Sequence, residues 1–403
     1  MKTLRKIRIG MVGGGPGAFI GAVHLRAMAL TGSFELVCGA FSSDPEKSKA
    51  RGAELRLPTE RVYDSWKEML DMEAKLPKGE RMDAVVIVTP NHLHFDVALA
   101  AIKRAFHVIC DKPATHRLED VLALEQRWQQ VCAERFDRGR EEPIFCITHN
   151  YTGYPMVRQA RSIIASGELG KVRAIRARYL QGWLATSLEH TGQKQADWRT
   201  DPERSGAAGA IGDIGVHAYN LMRFICPKLE VNELCADLRT AVRDRRLDDN
   251  ASIWLDLGVE DQVHASIEVS QVAVGHENDL EIEIDCERGG LSWRQEEPNS
   301  LYVHRLDGPS RIERASAGYL HESALKSCML PPGHTEGFLE SFANIYVAFS
   351  QQFHGNTDNG GLASLMPSMA EAVEGMRFIA ACVQSSDSGL SWVNPSTLVS
   401  DTE

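Results

Sequence analysis

The stretch that most constrains the fold opens the chain. Lys6 to Val12 reads KIRIGMV, a short apolar strand, and GGGPGAFIGAVH follows at once, before a helical pattern that runs through Leu30. A strand, a glycine-rich turn and a helix N-terminus in succession suit a dinucleotide. Glycines let backbone approach a pyrophosphate, and the first helical N–H groups and the helix dipole favour its charge. Gly13 and Gly15 take the first two places of the fingerprint and Ala18 the third, with Gly21 following. The turn therefore reads as about three residues longer than plain G-x-G-x-x-G. Gly13, Gly15, Pro16, Gly17, Ala18, Phe19 and Ile20 are the candidate phosphate-facing residues.

An alternating strand–helix pattern continues from there. Phe34 to Ala40 is the second strand, and the residues at its end commonly read the adenosine ribose. Here they are Phe41-Ser42-Ser43-Asp44, with Lys47 and Lys49 beyond. Ser42 and Ser43 are ambiguous and the acid comes late, so NAD or NADP fits, with a lean to NAD. A surface turn capping the next helix is compatible with either. Asp83 to Val88 is a continuous apolar strand, as expected for burial on both faces of a parallel sheet. It ends in TPNHLH, which places Thr89, Pro90, Asn91 and His94 where open α/β sheets bind ligands. Helix Phe95 to Arg104 leads to strand His107 to Cys110, which ends in Asp111-Lys112-Pro113. Helix Leu118 to Cys132 and strand Ile144 to Thr148 complete a doubly wound parallel sheet over residues 1–149.

The pattern then changes. After a helix from Val157 to Ser166, period-two strands read at Val172–Gln181, Leu229–Arg239, Ala251–Leu257, Val263–Val269, Leu280–Asp285, Leu291–Arg294 and Leu301–Val303. They predict an α+β domain over 150–403 with a large, mainly antiparallel open sheet. One face of that sheet is expected to cover the ligand crevice. The other is expected to meet a second subunit, giving a homodimer or homotetramer. Helices Glu336–Gln352 and Ala363–Val383 close the chain and are expected to pack back on the first domain.

Ser205 to Phe224, SGAAGAIGDIGVHAYNLMRF, interrupts the strands. A helix beginning near Asp213 puts Asp213 and His217 on one face, with Asn220 three residues further on. A carboxylate one turn before an imidazole can orient it for acid–base work. The plainer alternative is a helix capped by Asp213. Composition excludes other classes. The net charge of −11, with acids and bases interspersed, argues against a nucleic-acid groove. No apolar run approaches the ~20 residues of a membrane span. The start enters a strand without a signal-peptide pattern, and the nine scattered cysteines contain no C-x-x-C. A reduced, cytoplasmic protein without a metal site is expected.

The glycine turn, TPNHLH, Asp111-Lys112-Pro113 and the small-residue run ending in Asp213-x-x-x-His217 occur in the order and spacing of one family. The chain resembles the Gfo/Idh/MocA oxidoreductases, which include glucose-fructose oxidoreductase and inositol dehydrogenases. The resemblance implies an NAD(P)-dependent dehydrogenase oxidising a secondary alcohol of a sugar or cyclitol. Lys112, Asp213 and His217 match the family's catalytic positions. Either Lys112 or His217 takes the hydroxyl proton, and the sequence leaves that choice open. It also implies that His94, Asp111 and Lys112 lie near the nicotinamide. HNYTGYPMVRQA, ADWRTDPERSG and GHTEGFLESFANIY look like the subgroup containing levoglucosan dehydrogenase and enzymes acting at C3 of pyranoses. Asp111 replaces the commoner Glu, and Asn220 stands where many members have Asp. For such a substrate, Tyr151, Tyr154 and His334 are candidate hydroxyl partners and Trp183 a stacking surface. Trp198 and Arg199 are candidates to flank the cofactor.

Overall fold

The computed structural model describes residues 4–258, 263–356 and 361–398. The chain divides into two compact units. One holds the chain up to Thr148 together with Phe342–Val373, and the other holds His149–Ser341 and the chain from Glu374.

The first unit alternates strand and helix: β1 (Ile7–Gly13), α1 (Phe19–Thr31), β2 (Phe34–Ala40), α2 (Pro45–Glu54), α3 (Trp66–Lys75), β3 (Ala84–Val88), α4 (His94–Lys103), β4 (His107–Cys110), α5 (Leu118–Phe136) and β5 (Phe145–Ile147). All five strands are parallel, in the order β2-β1-β3-β4-β5. The order reverses at β1, and the crevice at such a switch point is where open α/β sheets take their ligands. β3 explains its own position. Every residue of AVVIV is buried, so it must lie inside a sheet covered on both faces. Each of its larger side chains contributes about 1.5–3 kcal/mol by leaving water.

His24 and His107 are two of the imidazoles that burial perturbs in this unit. His24 on α1 is wholly buried, with Nδ1 2.6 Å from the Tyr346 hydroxyl and its ring edge-on to Phe342. Burial pulls its pKa down to about 4, against the opposing pull of Asp111. His107 is likewise drawn down to about 4 by burial, and its Nδ1 accepts the Ile144 N–H at 2.9 Å. The sign follows directly. A base whose folded pKa lies below its unfolded 6.5 contributes full stability above pH 6.5 and loses it as pH falls toward 4. For His24 the difference is at most about 3 kcal/mol. We expect the melting temperature to fall steeply between pH 6.5 and 4.5, and to fall less steeply in His24→Gln. Equal slopes for the two proteins would clear His24 of any part in the acid response.

The second unit begins with α6 (Pro155–Ser166) and β6 (Val172–Leu180). Two short helices, α7 (Lys194–Arg199) and α8 (Pro202–Ser205), precede a π-helical turn at Ile211–Gly215 and α9 (Val216–Ile225). Then come β7 (Val231–Arg239), β8 (Asn250–Leu257), β9 (Val263–Ser270), β10 (Asp279–Cys286), β11 (Gly289–Arg294), β12 (Ser300–Arg305) and β13 (Gly308–Arg314). A short α10 (Glu322–Leu325) follows. α11 (Phe338–Phe353) starts in this unit and passes into the first, and α12 (Met369–Asp387) runs the other way. The eight strands order as β13-β12-β11-β10-β6-β9-β8-β7. Only the central β6–β9 pair is parallel. β13 goes beyond the sequence expectation, because GPSRIER is too polar to alternate: only Glu313 within it is buried.

Alternation gives the sheet two unlike faces. Along β8, Ala251, Ile253, Leu255 and Leu257 are buried while Trp254 is 60% exposed. Helix α9 packs on β6 and β10. On the other face, Arg176 pairs with Asp285 at 2.8 Å and Arg178 with Glu281 at 2.6 Å across neighbouring strands. No described helix is long and apolar enough to cross a membrane.

Candidate active site

In the first unit, glycine geometry shapes the turn after β1. Gly13 stands at φ +90°, and a Cβ there would lie 2.7 Å from the Val88 carbonyl oxygen. A Cβ on Gly15 would lie 2.8 Å from the Phe41 carbonyl oxygen. On Gly21 it would meet the Gly14 Cα at 2.5 Å. The third, close-packing place of the fingerprint therefore belongs to Gly21. Ala18, which the spacing had put there, is the N-cap of α1 and supplies no side-chain cap. The first turn of α1 therefore has no side-chain cap, which suits an anion, with Pro16 and Gly17 exposed before it and Phe19 exposed at its start. The Thr89 hydroxyl at the end of β3 is buried, with no hydrogen-bond partner among the described residues. Backbone in close approach, an uncapped helix start and an unpaired hydroxyl fit a dinucleotide's phosphates and nicotinamide end.

At the end of β2, Ser42 Oγ accepts the Asp44 N–H at 3.1 Å, and Ser43 is exposed. Asp44 caps α2 through the Glu46 and Lys47 N–H groups, and Lys47 Nζ lies 3.3 Å from its other oxygen. The late acid of this stretch is thereby occupied. Past β3, Pro90 leads into a 3-10 turn, Asn91–Leu93, on which Asn91 is buried. His94 begins α4 fully buried, with Nε2 2.8 Å from the Thr89 carbonyl oxygen and Nδ1 2.8 Å from that of Pro113. Burial lowers its pKa, and the two carbonyls oppose that. His94 thus braces the end of β3 against the turn that carries Lys112. Asp111 Oδ1 accepts the Thr148 hydroxyl at 2.7 Å. Lys112 is half-buried and joined to Pro113 by a cis peptide.

In the second unit, the expected α-helix from Asp213 starts differently. The Val216 N–H reaches back to the Ile211 carbonyl, so Asp213 sits in a π-helical turn and His217 in the first turn of α9. Single π-helical turns of this kind are frequent at functional sites. Asp213 Oδ2 receives Arg199 Nε at 3.0 Å and Gln271 Nε2 at 2.8 Å. The Arg199 guanidinium also covers the Trp198 ring, 4.3 Å from its centroid, and donates to Gln195 Oε1 at 2.6 Å. Arg199 is therefore committed to the Asp213 carboxylate.

Aromatic rings surround His217, which is only 7% exposed. Tyr151 stands edge-on at 4.9 Å between centroids, His149 edge-on at 5.7 Å, and Tyr179 tilted at 6.3 Å. The Tyr151 and Tyr179 hydroxyls bond each other, and Tyr179 donates to Asn278 Oδ1 at 2.6 Å. Gln181 Nε2 joins the same oxygen at 2.7 Å, and Trp183 Nε1 donates to Gln181 Oε1 at 3.0 Å. Burial holds both phenols above their usual pKa, and their hydroxyls are engaged in these hydrogen bonds. Tyr151 and Trp183 thus belong to one chain of polar groups beginning beside His217. Tyr154 is buried against Trp293. His334 lies exposed in the 331–337 loop, with Nδ1 3.2 Å from the Pro331 carbonyl oxygen. Asn220 is buried further along α9.

Sequence reasoning missed Gln271, Gln195, Asn278 and Tyr179. Gln271 carries no distinct sequence signal, because it follows Ser270 at the end of the alternating strand VHASIEVS. Among the described residues no group of three or more His, Cys, Asp or Glu side chains is placed to hold a metal.

A parallel nucleotide-binding unit joined to a half-covered antiparallel sheet, with an acid–imidazole segment on the latter, defines an NAD(P)-binding oxidoreductase. Two family descriptions match the chain: an oxidoreductase family with an NAD-binding Rossmann fold over residues 7–133, and a Gfo/Idh/MocA C-terminal domain over residues 157–292. An inositol dehydrogenase homolog from Azotobacter vinelandii, solved with NAD+, is 30% identical over 98% of both chains, with a TM-score of 0.90. An oxidoreductase from Sinorhizobium meliloti is 39% identical over 97% of this chain and 100% of its own, with a TM-score of 0.85. Levoglucosan dehydrogenase of Pseudarthrobacter phenanthrenivorans is 25% identical over 74% of this chain and 76% of its own. The chain belongs to the Gfo/Idh/MocA family of sugar and inositol dehydrogenases.

Proposed function

We propose that this protein oxidises a secondary hydroxyl of a sugar, anhydrosugar or cyclitol, with C3 of a pyranose as the favoured position. The observation that carries the reading is the Asp213 carboxylate, fixed by Arg199 and Gln271 four residues before the buried His217 imidazole. Hydride leaves a carbinol carbon only as the hydroxyl proton is removed, so a base must reach that oxygen. We assign the proton to His217 and a hydrogen bond to the developing alkoxide to Lys112. Asp213, paired with the Arg199 guanidinium, is assigned the orienting role for the imidazole. The bound nicotinamide supplies the hydride acceptor. The polar groups continuing from His217 are phenols and carboxamides (Tyr151, Tyr179, Gln181 and Asn278), which suit a neutral polyol. Similarity to levoglucosan dehydrogenase and to an inositol dehydrogenase homolog supports the same class.

The test is a screen of pyranoses, anhydrosugars and inositols with NAD and NADP, following absorbance of the reduced nicotinamide. We expect turnover with at least one neutral polyol. No turnover with any polyol and either cofactor sinks the reading. We assign association of copies of the chain to the outer face of the sheet, around exposed Trp254. Light scattering of the same preparation should give a dimer or tetramer, and a monomer at assay concentration removes that assignment.

A further inference from the structure

The loop between β7 and β8 touches the Asp213 segment from two sides. Asp248, 8% exposed, receives the Gly209 N–H on Oδ1 at 2.6 Å and the Ile211 N–H on Oδ2 at 2.9 Å. Its own carbonyl accepts the Ala210 N–H at 2.9 Å. These peptides build the π-helical turn. The Gly209 carbonyl accepts the Asp213 N–H at 2.9 Å, and the Ile211 carbonyl accepts the Val216 N–H that closes the turn. The approach tolerates no side chain, because a Cβ on Gly209 would lie 2.2 Å from the Asp248 carbonyl oxygen.

The second side runs through the next residue. The Asp249 carbonyl accepts the Gln271 N–H at 2.8 Å, and the Gln271 side chain bonds Asp213 Oδ2. Asp249 is itself tied down. Its carboxylate takes the Ala241 and Val242 N–H groups and Arg245 Nη1. Arg245, with 1% of its side chain exposed, also holds Glu189 and the Leu184 carbonyl.

We propose that Asp248 is a positioning residue for the catalytic segment: its carboxylate sets the π-helical turn and through it the placement of Asp213 and His217. A carboxylate accepting two N–H groups from one turn fixes both peptide planes at once, which no neutral side chain of this size does. Burial raises its pKa to about 6 against the pull of the Ile211 and Gly209 N–H groups, so at pH 7.5 it is ionised and both acceptors are in place. Asparagine would turn one of those oxygens into a donor facing an N–H.

This inference rests on the reading of Asp213 and His217 as the catalytic pair, and the experiment separates the two. Amide exchange and steady-state kinetics are measured at pH 7.5 on the full chain, Asp248→Asn and Asp248→Glu. In Asp248→Asn we expect faster exchange at Gly209 and Ile211. We also expect kcat to fall roughly 10–100-fold, as for misplaced catalytic groups, with the substrate KM and NAD(H) affinity near those of the parent. Asp248→Glu keeps both acceptors and the charge. It should recover part of the rate, and it carries the kinetic measurement if the asparagine variant folds poorly. Faster exchange with unchanged kcat, or equal losses in both variants, overturns the positioning role. A parent protein inactive on every polyol while Gly209 and Ile211 remain protected overturns the catalytic reading instead, and this inference with it.

Discussion

Lys112→Ala and His217→Ala are each expected to lower turnover roughly 10²–10⁴-fold, the usual loss for a general acid or base, while reduced nicotinamide still binds. The local structure favours clean losses. His217 makes ring contacts with Tyr151, His149 and Tyr179, all of which hold other partners or neighbours, so truncation removes the imidazole and leaves its surroundings braced. Lys112 projects from a turn pinned by His94 through the Pro113 carbonyl and by Thr148 through Asp111, and neither tie involves its own side chain. Steady-state rates on the polyol found in the screen give turnover, and nicotinamide fluorescence gives cofactor binding. Parental turnover in either variant would take that residue out of the mechanism.

The second large effect concerns the cofactor. Gly21→Ala is expected to weaken dinucleotide binding by about 5- to 150-fold. That range converts the roughly 1–3 kcal/mol of overpacking strain at about 1.4 kcal/mol per factor of ten. The added methyl meets the Gly14 Cα at 2.5 Å, and no side-chain rotation relieves a clash between two backbones. The glycine turn must move, and with it the amides assigned to the phosphates. Gly79→Ala, with open space around the added carbon and no positive φ, is the control and should bind as the parent does. A Gly21→Ala protein with parental affinity for NAD(H) would place the phosphate site elsewhere.

Where the sequence was informative, the signal was local. KIRIGMV followed by glycines reads as a strand and a turn because hydrophobic period and glycine content are properties of adjacent residues. The same holds for the buried AVVIV strand and the alternating strands of the second unit. The role of Gly21 was not legible, because it depends on Gly14 folding back against α1. The π-helical turn was hidden for a different reason: its closing bond differs from an α-helical one by a single residue, and nothing in GAIGDIGVH marks that. Gln271 reaches Asp213 from 58 residues away along the chain, and Asp248 reaches Gly209 from 39. Pairings of that range come from sheet register, which a single sequence does not specify. For His94 the local reading put the helix start one residue later, at Phe95, and could not give the two carbonyls that occupy its ring.

The parallel contact between β6 and β9 has a consequence for how the molecule is made. Every other neighbouring pair in that sheet is antiparallel, so this pair forms only after the chain from Leu180 to Val263 has looped back. That loop carries α7, α8, the π-helical turn and α9, together with the β7–β8 hairpin. Closing a loop costs entropy that grows only slowly with its length, so the arrangement weighs little on final stability. It weighs on speed, because non-local pairings must be reached before they are rewarded. Asp213 and His217 thus ride on one of the long-range connections of their unit, the kind that slows folding.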